Sequence, residues 1–237
     1  ILSLLLIACL PSCVSMDREI PAIRVSATEH PRIFKLNISP RRGYSYDAYI
    51  WIPYGIQVNR LLVISNNTGT THDSLNYHDK DAFRRMLENG WEKRIAKYLN
   101  TPLLMPVFPR PSSDSYKDYH SLNRLALFET GRTRRIDHQL IAMIKNVQEY
   151  LKSSHDIQLD EKILMTGYSS SGNFVNRFTM LHPEIVHAVA AGGTAGNLML
   201  PLEEYGGEEI TFPQGIADYN EITRHEFDFG TWGKVHQ

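Results

Sequence analysis

KILMTGYSSSG, residues 162–172, is an apolar run that ends at a glycine and passes through small polar residues into a helical pattern. Ile163, Leu164 and Met165 form an apolar run, as expected of a strand. Residues 173–181 read as the helix that follows. A serine on so sharp a strand-to-helix turn needs small residues two positions before it and two after it. For Ser169 these are Gly167 and Ser171. For Ser170 the earlier neighbour is Tyr168, and for Ser171 the later one is Asn173, both too large. The register selects Ser169 as candidate nucleophile, on a turn formed by Gly167, Tyr168, Ser171 and Gly172. The turn aims the serine at the amino end of the helix, where free N–H groups favour developing negative charge. The Ser170 N–H is the expected first donor of an oxyanion hole. The competing reading is a serine-rich helix cap and nothing more; the buried strand before the motif and the helix after it favour chemistry.

Outward from this point the chain alternates. A strand is expected over residues 44–52, with Tyr46, Ala48, Ile50 and Ile52 on one face. Residues 61–64 form an apolar run that stops in the polar loop 65–70. Phe83, Leu87, Trp91, Ile95 and Leu99 recur every four residues and predict one helix over about residues 80–100, weakened at Gly90. Residues 103–108 form another buried strand, closed by Pro109 and Pro111, and residues 110–133 a polar, aromatic loop with a short helix. Ile136, Leu140, Ile144, Val147 and Leu151 mark an amphipathic helix, and residues 185–191 a last strand, stopped by Gly192 and Gly193. This order predicts an α/β fold: a mostly parallel sheet with helices on both faces. Sites in such sheets lie at the carboxyl ends of the strands. Those ends carry residues 66–70, 169–172 and 192–196, all polar, small or glycine-containing. Thr68 or Gly69 is the candidate second oxyanion donor, and Asn67 and His120, which also follow strand ends, are candidates to line a substrate cleft.

Residues 166–172 (TGYSSSG) with 174–193 (FVNRFTMLHPEIVHAVAAGG) resemble bacterial α/β-hydrolases of the esterase and poly(3-hydroxyalkanoate) depolymerase-like kind. Residues 66–71, 103–111 and 139–144 fit the same group. The resemblance spans about residues 40–230, though only the turn at Ser169 is a mechanistic motif. It implies an α/β-hydrolase fold, Ser169 as nucleophile, and no metal or organic cofactor. Ser171 stands where a second glycine is common.

A serine nucleophile needs a histidine base and an orienting carboxylate, which in this fold follow it in the chain. Neither is legible. His182 lies beyond the helix, about 15 Å from its start, and reads as a helix-end residue bonded to the last carbonyls. His187 is at the wrong end of its strand; His225 and His236 have no strand between them and an acid; Asp218 and Asp228 read as solvated. The expectation is a chain truncated at both ends, lacking its C-terminal strands, base and acid, and a poor catalyst by itself. His72, Asp73, His78 and Asp79 resemble metal ligands, but without supporting carboxylates they read as a solvated loop; no metal site is expected.

The chain has 237 residues, 42% apolar and 22% charged, with a formal net charge of −1, which gives no reason to expect a nucleic-acid partner. Residues 1–10 (ILSLLLIACL) are apolar but too short to span a bilayer, which takes about 20 residues. They match the core of an export signal. Leu6-Ile7-Ala8-Cys9 resembles a lipobox, with Cys13 a poorer second lipidation candidate. Both cysteines lie here, which excludes internal disulfides and a thiol nucleophile. The expected organisation is a signal at 1–13, a lead-in at 14–40, and a hydrolase domain at 41–237, in which the aromatic segment 198–233 is either a cap over the site or a surface excursion. The expected function is an exported, envelope-bound, periplasmic or secreted hydrolase that cleaves small or polymeric carboxylic esters through an acyl-enzyme on Ser169. Its only membrane contact would be a lipid anchor. The alternatives are a peptidase or lactonase on the same fold, or a non-catalytic surface lipoprotein that binds a polymer or partner. Oligomeric state is not legible.

Overall fold

The computed structural model describes residues 25–27, 32–66, 69–88, 90–114, 116–194 and 198–236. The signal-like segment 1–13 with Cys9 and Cys13, and the loop residues Asn67 and Thr68, lie outside them. In chain order the elements are β1 (Val25–Ala27), β2 (Ile33–Leu36), β3 (Ala48–Trp51), β4 (Leu62–Val63), α1 (Leu75–Leu87), α2 (Trp91–Leu99), β5 (Leu103–Pro106), α3 (Arg124–Phe128), α4 (Ile136–His155), β6 (Ile163–Tyr168), α5 (Ser170–Leu181), β7 (Val186–Gly192), β8 (Glu204–Tyr205), β9 (Glu208–Glu209), α6 (Tyr219–Thr223) and α7 (Phe229–Trp232).

Seven strands form one sheet in the order β1-β2-β3-β5-β4-β6-β7. From β5 to β7 all pairings are parallel, while β1, β2 and β3 are antiparallel, and β3 joins β5 antiparallel. The sheet therefore begins well before residue 41: β1 and β2 lie in what reads from sequence as a lead-in. Both strands are short and lack a strong alternating pattern.

The strand residues alternate between two cores. Tyr46, Ala48, Ile50 and Ile52 face a large core shared with Leu140, Met143 and Val147 of α4 and Phe174 and Phe178 of α5. Tyr49 and Trp51 face the opposite core, with Ala82 and Met86 of α1 and Ala96 of α2. Helices thus cover both faces, so the central strands read as unbroken apolar runs. Each fully buried aliphatic side chain contributes about 1.5–3 kcal/mol. The architecture is the mostly parallel sheet with helices on both faces expected from the alternation.

Several element boundaries differ from the sequence expectation, most visibly in the helices. The single helix over about 80–100 is two helices. The chain is extended at Glu88 (φ −67°, ψ 158°) and again at Gly90 (φ −62°, ψ 172°). The Arg85 guanidinium donates to Glu92 across the break, so α1 and α2 pack as a bent pair with a charged clasp. Helix α5 begins at Ser170 rather than 173, immediately after the turn.

The late segment is divided. Phe212, Ile216, Tyr219 and Ile222 are buried in the large core. The Tyr219 hydroxyl lies 3.2 and 3.3 Å from the Met180 and Leu181 carbonyls and donates to the end of α5. Phe227 packs on Tyr219, Phe229 and Trp232. Asp218 is buried rather than solvated: it accepts from the Phe212 N–H at 2.7 Å and from Arg124. Asp228 is exposed and caps α7. His236 pairs in parallel with Ala188 on the outer edge of β7, through Val189 N–H to His236 O at 2.8 Å and His236 N–H to His187 O at 3.1 Å. Among the described residues no helix is long and apolar enough to cross a membrane.

Candidate active site

Strand β6 ends at Tyr168 and α5 starts at Ser170, so one residue makes the whole turn. Ser169 takes φ 60°, ψ −125°, a backbone conformation that costs a non-glycine residue about 1–3 kcal/mol and is usually tolerated where it serves a site. Packing allows no relaxation. A Cβ at Gly167 would lie 2.2 Å from the Ser171 carbonyl oxygen, and one at Gly172 would lie 2.3 Å from the Gly192 oxygen. Glycine is required at both positions because the helix start lies directly on β6 and β7. Ser171 is more than small: its hydroxyl accepts the Tyr168 N–H at 2.9 Å and donates to the Tyr168 carbonyl at 2.9 Å, closing the turn. The Ser169 N–H donates to Gly192 O at 2.9 Å.

Ser169 is exposed at the tip and Ser170 is buried. The Ser169 side chain makes no capping bond to α5. The first N–H groups of α5 have no intrahelical acceptor, which leaves the helix amino end as the natural seat for negative charge beside Ser169.

Strands β4 and β6 pair in parallel with Val63 opposite Met165. The same offset continued brings Asn66 level with Tyr168, so the loop after β4 rises beside the turn. Asn66 is buried and joins the ends of two strands: its Oδ1 accepts from Phe108 N–H at 3.0 Å and its Nδ2 donates to Phe108 O at 3.2 Å. Gly69 has φ +67° with open space around its Cβ position, a backbone suited to close approach. Thr68 and Asn67 fall outside the described residues.

His120, expected on the cleft wall, is fully buried instead. Its Nε2 lies 2.8 Å from Phe108 O and its ring packs edge-on against buried His78 at 5.2 Å. Burial lowers its pKa to about 3, the Phe108 carbonyl only partly opposing; burial lowers that of His78 as well. Both imidazoles are neutral structural groups. His78, at 2.9 Å from the His72 carbonyl, is thus no part of a solvated loop.

Sequence reasoning missed Asp118, which gathers the loop after β5 around the turn. It accepts from Ser170 Oγ at 2.7 Å, from Arg110 at 3.1 Å and from the His120 N–H at 3.1 Å. Arg177 of α5 donates to Ser121 O at 2.9 Å; its burial lowers its pKa to about 10, opposed by Asp118. No motif marks Asp118, because its partners are distant in sequence.

His182 ends α5 as expected, but its ring does not meet the last carbonyls. Its Nε2 is 2.9 Å from the Oδ2 of buried Asp137, at the start of α4. Asp137, His138 and His182 present ligand atoms within 4.8 Å of one another, the one such group among the described residues. A guanidinium already sits among them: Arg135 donates to both Asp137 oxygens at 2.9 and 2.6 Å, and to His138 Nε2. That positive charge opposes a metal ion. The rings of His187 and His236 meet edge-on at 5.2 Å. None of these histidine pairings includes Ser169.

A pocket of ≈ 800 Å³ adjoins the turn, lined by Gly167, Tyr168, Gly192, Leu198, Leu200 and Trp232 among others. Its wall is mainly apolar.

No protein-family model and no curated protein matches the chain. Solved structures similar to it include poly(aspartic acid) hydrolase-1 from Sphingomonas sp. KT-1, with 19% identity, 73% of this chain and 60% of that one covered, and a TM-score of 0.46. The LpqC poly(3-hydroxybutyrate) depolymerase from Bordetella parapertussis has 20% identity, coverages of 77% and 56%, and a TM-score of 0.43. The rice cell wall degrading esterase LipA from Xanthomonas oryzae has 14% identity, coverages of 70% and 42%, and a TM-score of 0.43. The chain spans 60% or less of the length of each. On its own strand order, with a one-residue turn from β6 into α5, the chain has the α/β-hydrolase fold.

Proposed function

We propose that the protein is a serine hydrolase that cleaves carboxylic esters through an acyl-enzyme on Ser169. The observation that carries this reading is the backbone of Ser169: a strained, exposed serine held between a buried strand and a helix amino end, with glycines where no other residue fits. Structure alone gives no reason to keep such strain at a plain helix cap.

In the reaction the Ser169 hydroxyl oxygen attacks the ester carbonyl carbon and its proton passes to a general base. The carbonyl oxygen takes up the negative charge, held by the Ser170 N–H and by a second N–H from Thr68 or Gly69. Collapse expels the alcohol, which takes the proton, and water then releases the acid by the same steps. The apolar pocket beside Tyr168 suits the hydrocarbon part of an ester. Export, and a lipid anchor at Cys9 or Cys13, belong to the same proposal and rest on residues 1–13.

The test is reaction of the protein expressed from its complete gene with a fluorophosphonate, followed by mapping of the labelled residue. Label on Ser169, lost together with ester turnover in Ser169→Ala, is the expected result. An unlabelled protein, or turnover that survives Ser169→Ala, would favour a binding module of the same fold.

A further inference from the structure

We propose that Asp118 is a positioning residue for this centre, holding the Ser170 backbone N–H on its target through a bond to the Ser170 hydroxyl. The inference rests on the Ser169 reading above. Asp118 draws donors from three segments: the Arg110 guanidinium on the loop leaving β5, the His120 N–H of the 3₁₀ turn Tyr119–Ser121 that it caps, and the hydroxyl of Ser170. An ionised carboxylate only accepts, so the Ser170 hydroxyl is the donor at 2.7 Å. The same turn meets α5 a second time where Arg177 donates to Ser121 O. Helix α5 is thereby tied to this loop at its first residue, Ser170, and again about two turns on at Arg177.

The need for such a tether follows from the backbone. Ser170 is the first residue of α5, so its N–H has no helical acceptor, and it follows a residue in a strained conformation. An oxyanion donor must nevertheless be held to within about 0.5 Å. A bond from the side chain of the donor residue itself supplies that constraint. Charge is also balanced: a lone carboxylate here would oppose a developing oxyanion, but Arg110 pairs with the same oxygen that Ser170 contacts. Geometry is supplied without net negative charge.

The experiment uses the protein expressed from its complete gene, with turnover of a p-nitrophenyl ester and fluorophosphonate labelling as readouts. Ser170→Ala and Asp118→Ala should each lower kcat about ten- to hundred-fold with KM little changed. The double variant should be no worse than either single one, because both remove one bond. Asp118→Asn keeps an acceptor oxygen and should recover part of the loss. A merely structural role would lower the unfolding midpoint and leave the kcat of the folded fraction alone. Wild-type kcat and labelling rate in Ser170→Ala, or additive losses in the double variant, would overturn the inference. Should Asp118→Ala not fold, Ser170→Ala and Asp118→Asn decide it. If Ser169 takes no label and Ser169→Ala retains turnover, the nucleophile reading fails and takes this inference with it; normal labelling of Ser169 in Ser170→Ala removes this inference alone.

Discussion

At Gly167 and Gly172 a missing side chain decides whether the turn can exist. A methyl group at either would press on backbone oxygen at 2.2 or 2.3 Å, and backbone there belongs to β7 and the start of α5. Gly167→Ala and Gly172→Ala should each destabilise the protein by about 1–3 kcal/mol, read as a lower urea midpoint at constant slope, and should reduce Ser169 labelling even where the protein folds. A midpoint unchanged by Gly167→Ala would mean the turn is looser than described. Ser171→Ala removes one acceptor and one donor from the turn, a loss of about 1 kcal/mol, and the same unfolding measurement checks it. That Ser169, and not its two serine neighbours, makes the turn was legible in sequence because it depends on local sterics. The second role of Ser171 was not, since it takes the folded turn to show that its hydroxyl meets Tyr168 on both sides.

Between elements, the buried pair of His182 and Asp137 joins the end of α5 to the start of α4. Burial lowers the His182 pKa, but the bond to Asp137 and the nearby Glu184 carboxylate outweigh it and the net direction is upward. Burial raises that of Asp137, but Arg135 and His182 outweigh it and the net direction is downward. The raised histidine adds stability that is complete below the ordinary histidine pKa, near 6.5, and is lost as pH rises through its folded value. His182→Ala should therefore cost about 1–3 kcal/mol at pH 6 and less at pH 9, measured by urea unfolding at both. An equal loss at the two pH values would show that the ring acts by packing alone. The pair joins residues 45 positions apart, so no local pattern reveals it. The helix break at 88–90 was half legible: Gly90 marked the weak point, but the clasp between Arg85 and Glu92 that makes it a bend depends on how the two helices pack.

Over the whole molecule the buried histidines set the acid limb of stability. His120 titrates near 3 when folded and near 6.5 when unfolded, and His78 is displaced the same way. Below pH 6.5 the unfolded chain binds protons that the folded one refuses, so stability present above that value is lost as pH falls towards 3. His120 alone contributes a slope of up to about 1.4 kcal/mol per pH unit in that window. Asp137, with its lowered pKa, steepens the same limb at its acid end, while His182 acts in the opposite sense above pH 6.5. Urea unfolding from pH 4 to 9 should show a maximum near pH 6–7 and a shallower acid limb in His120→Gln. An acid limb identical in that variant would remove His120 from the account.

Neighbouring residues suffice to specify the alternation of strands and helices from residue 44 onward, the two-faced burial of β3, β4 and β5, and which serine makes the turn. Each of these follows from neighbours in the chain: apolar periodicity, small residues at fixed offsets, glycine where the backbone folds back. Tertiary structure alone decided the rest. It added β1 and β2 to the sheet, buried His120 and Asp218, gave His182 a carboxylate partner, and brought Asp118 to Ser170 across 52 residues. A polar side chain in a loop carries no periodicity, and its role is set by which distant donor the packed sheet brings within about 3 Å of it.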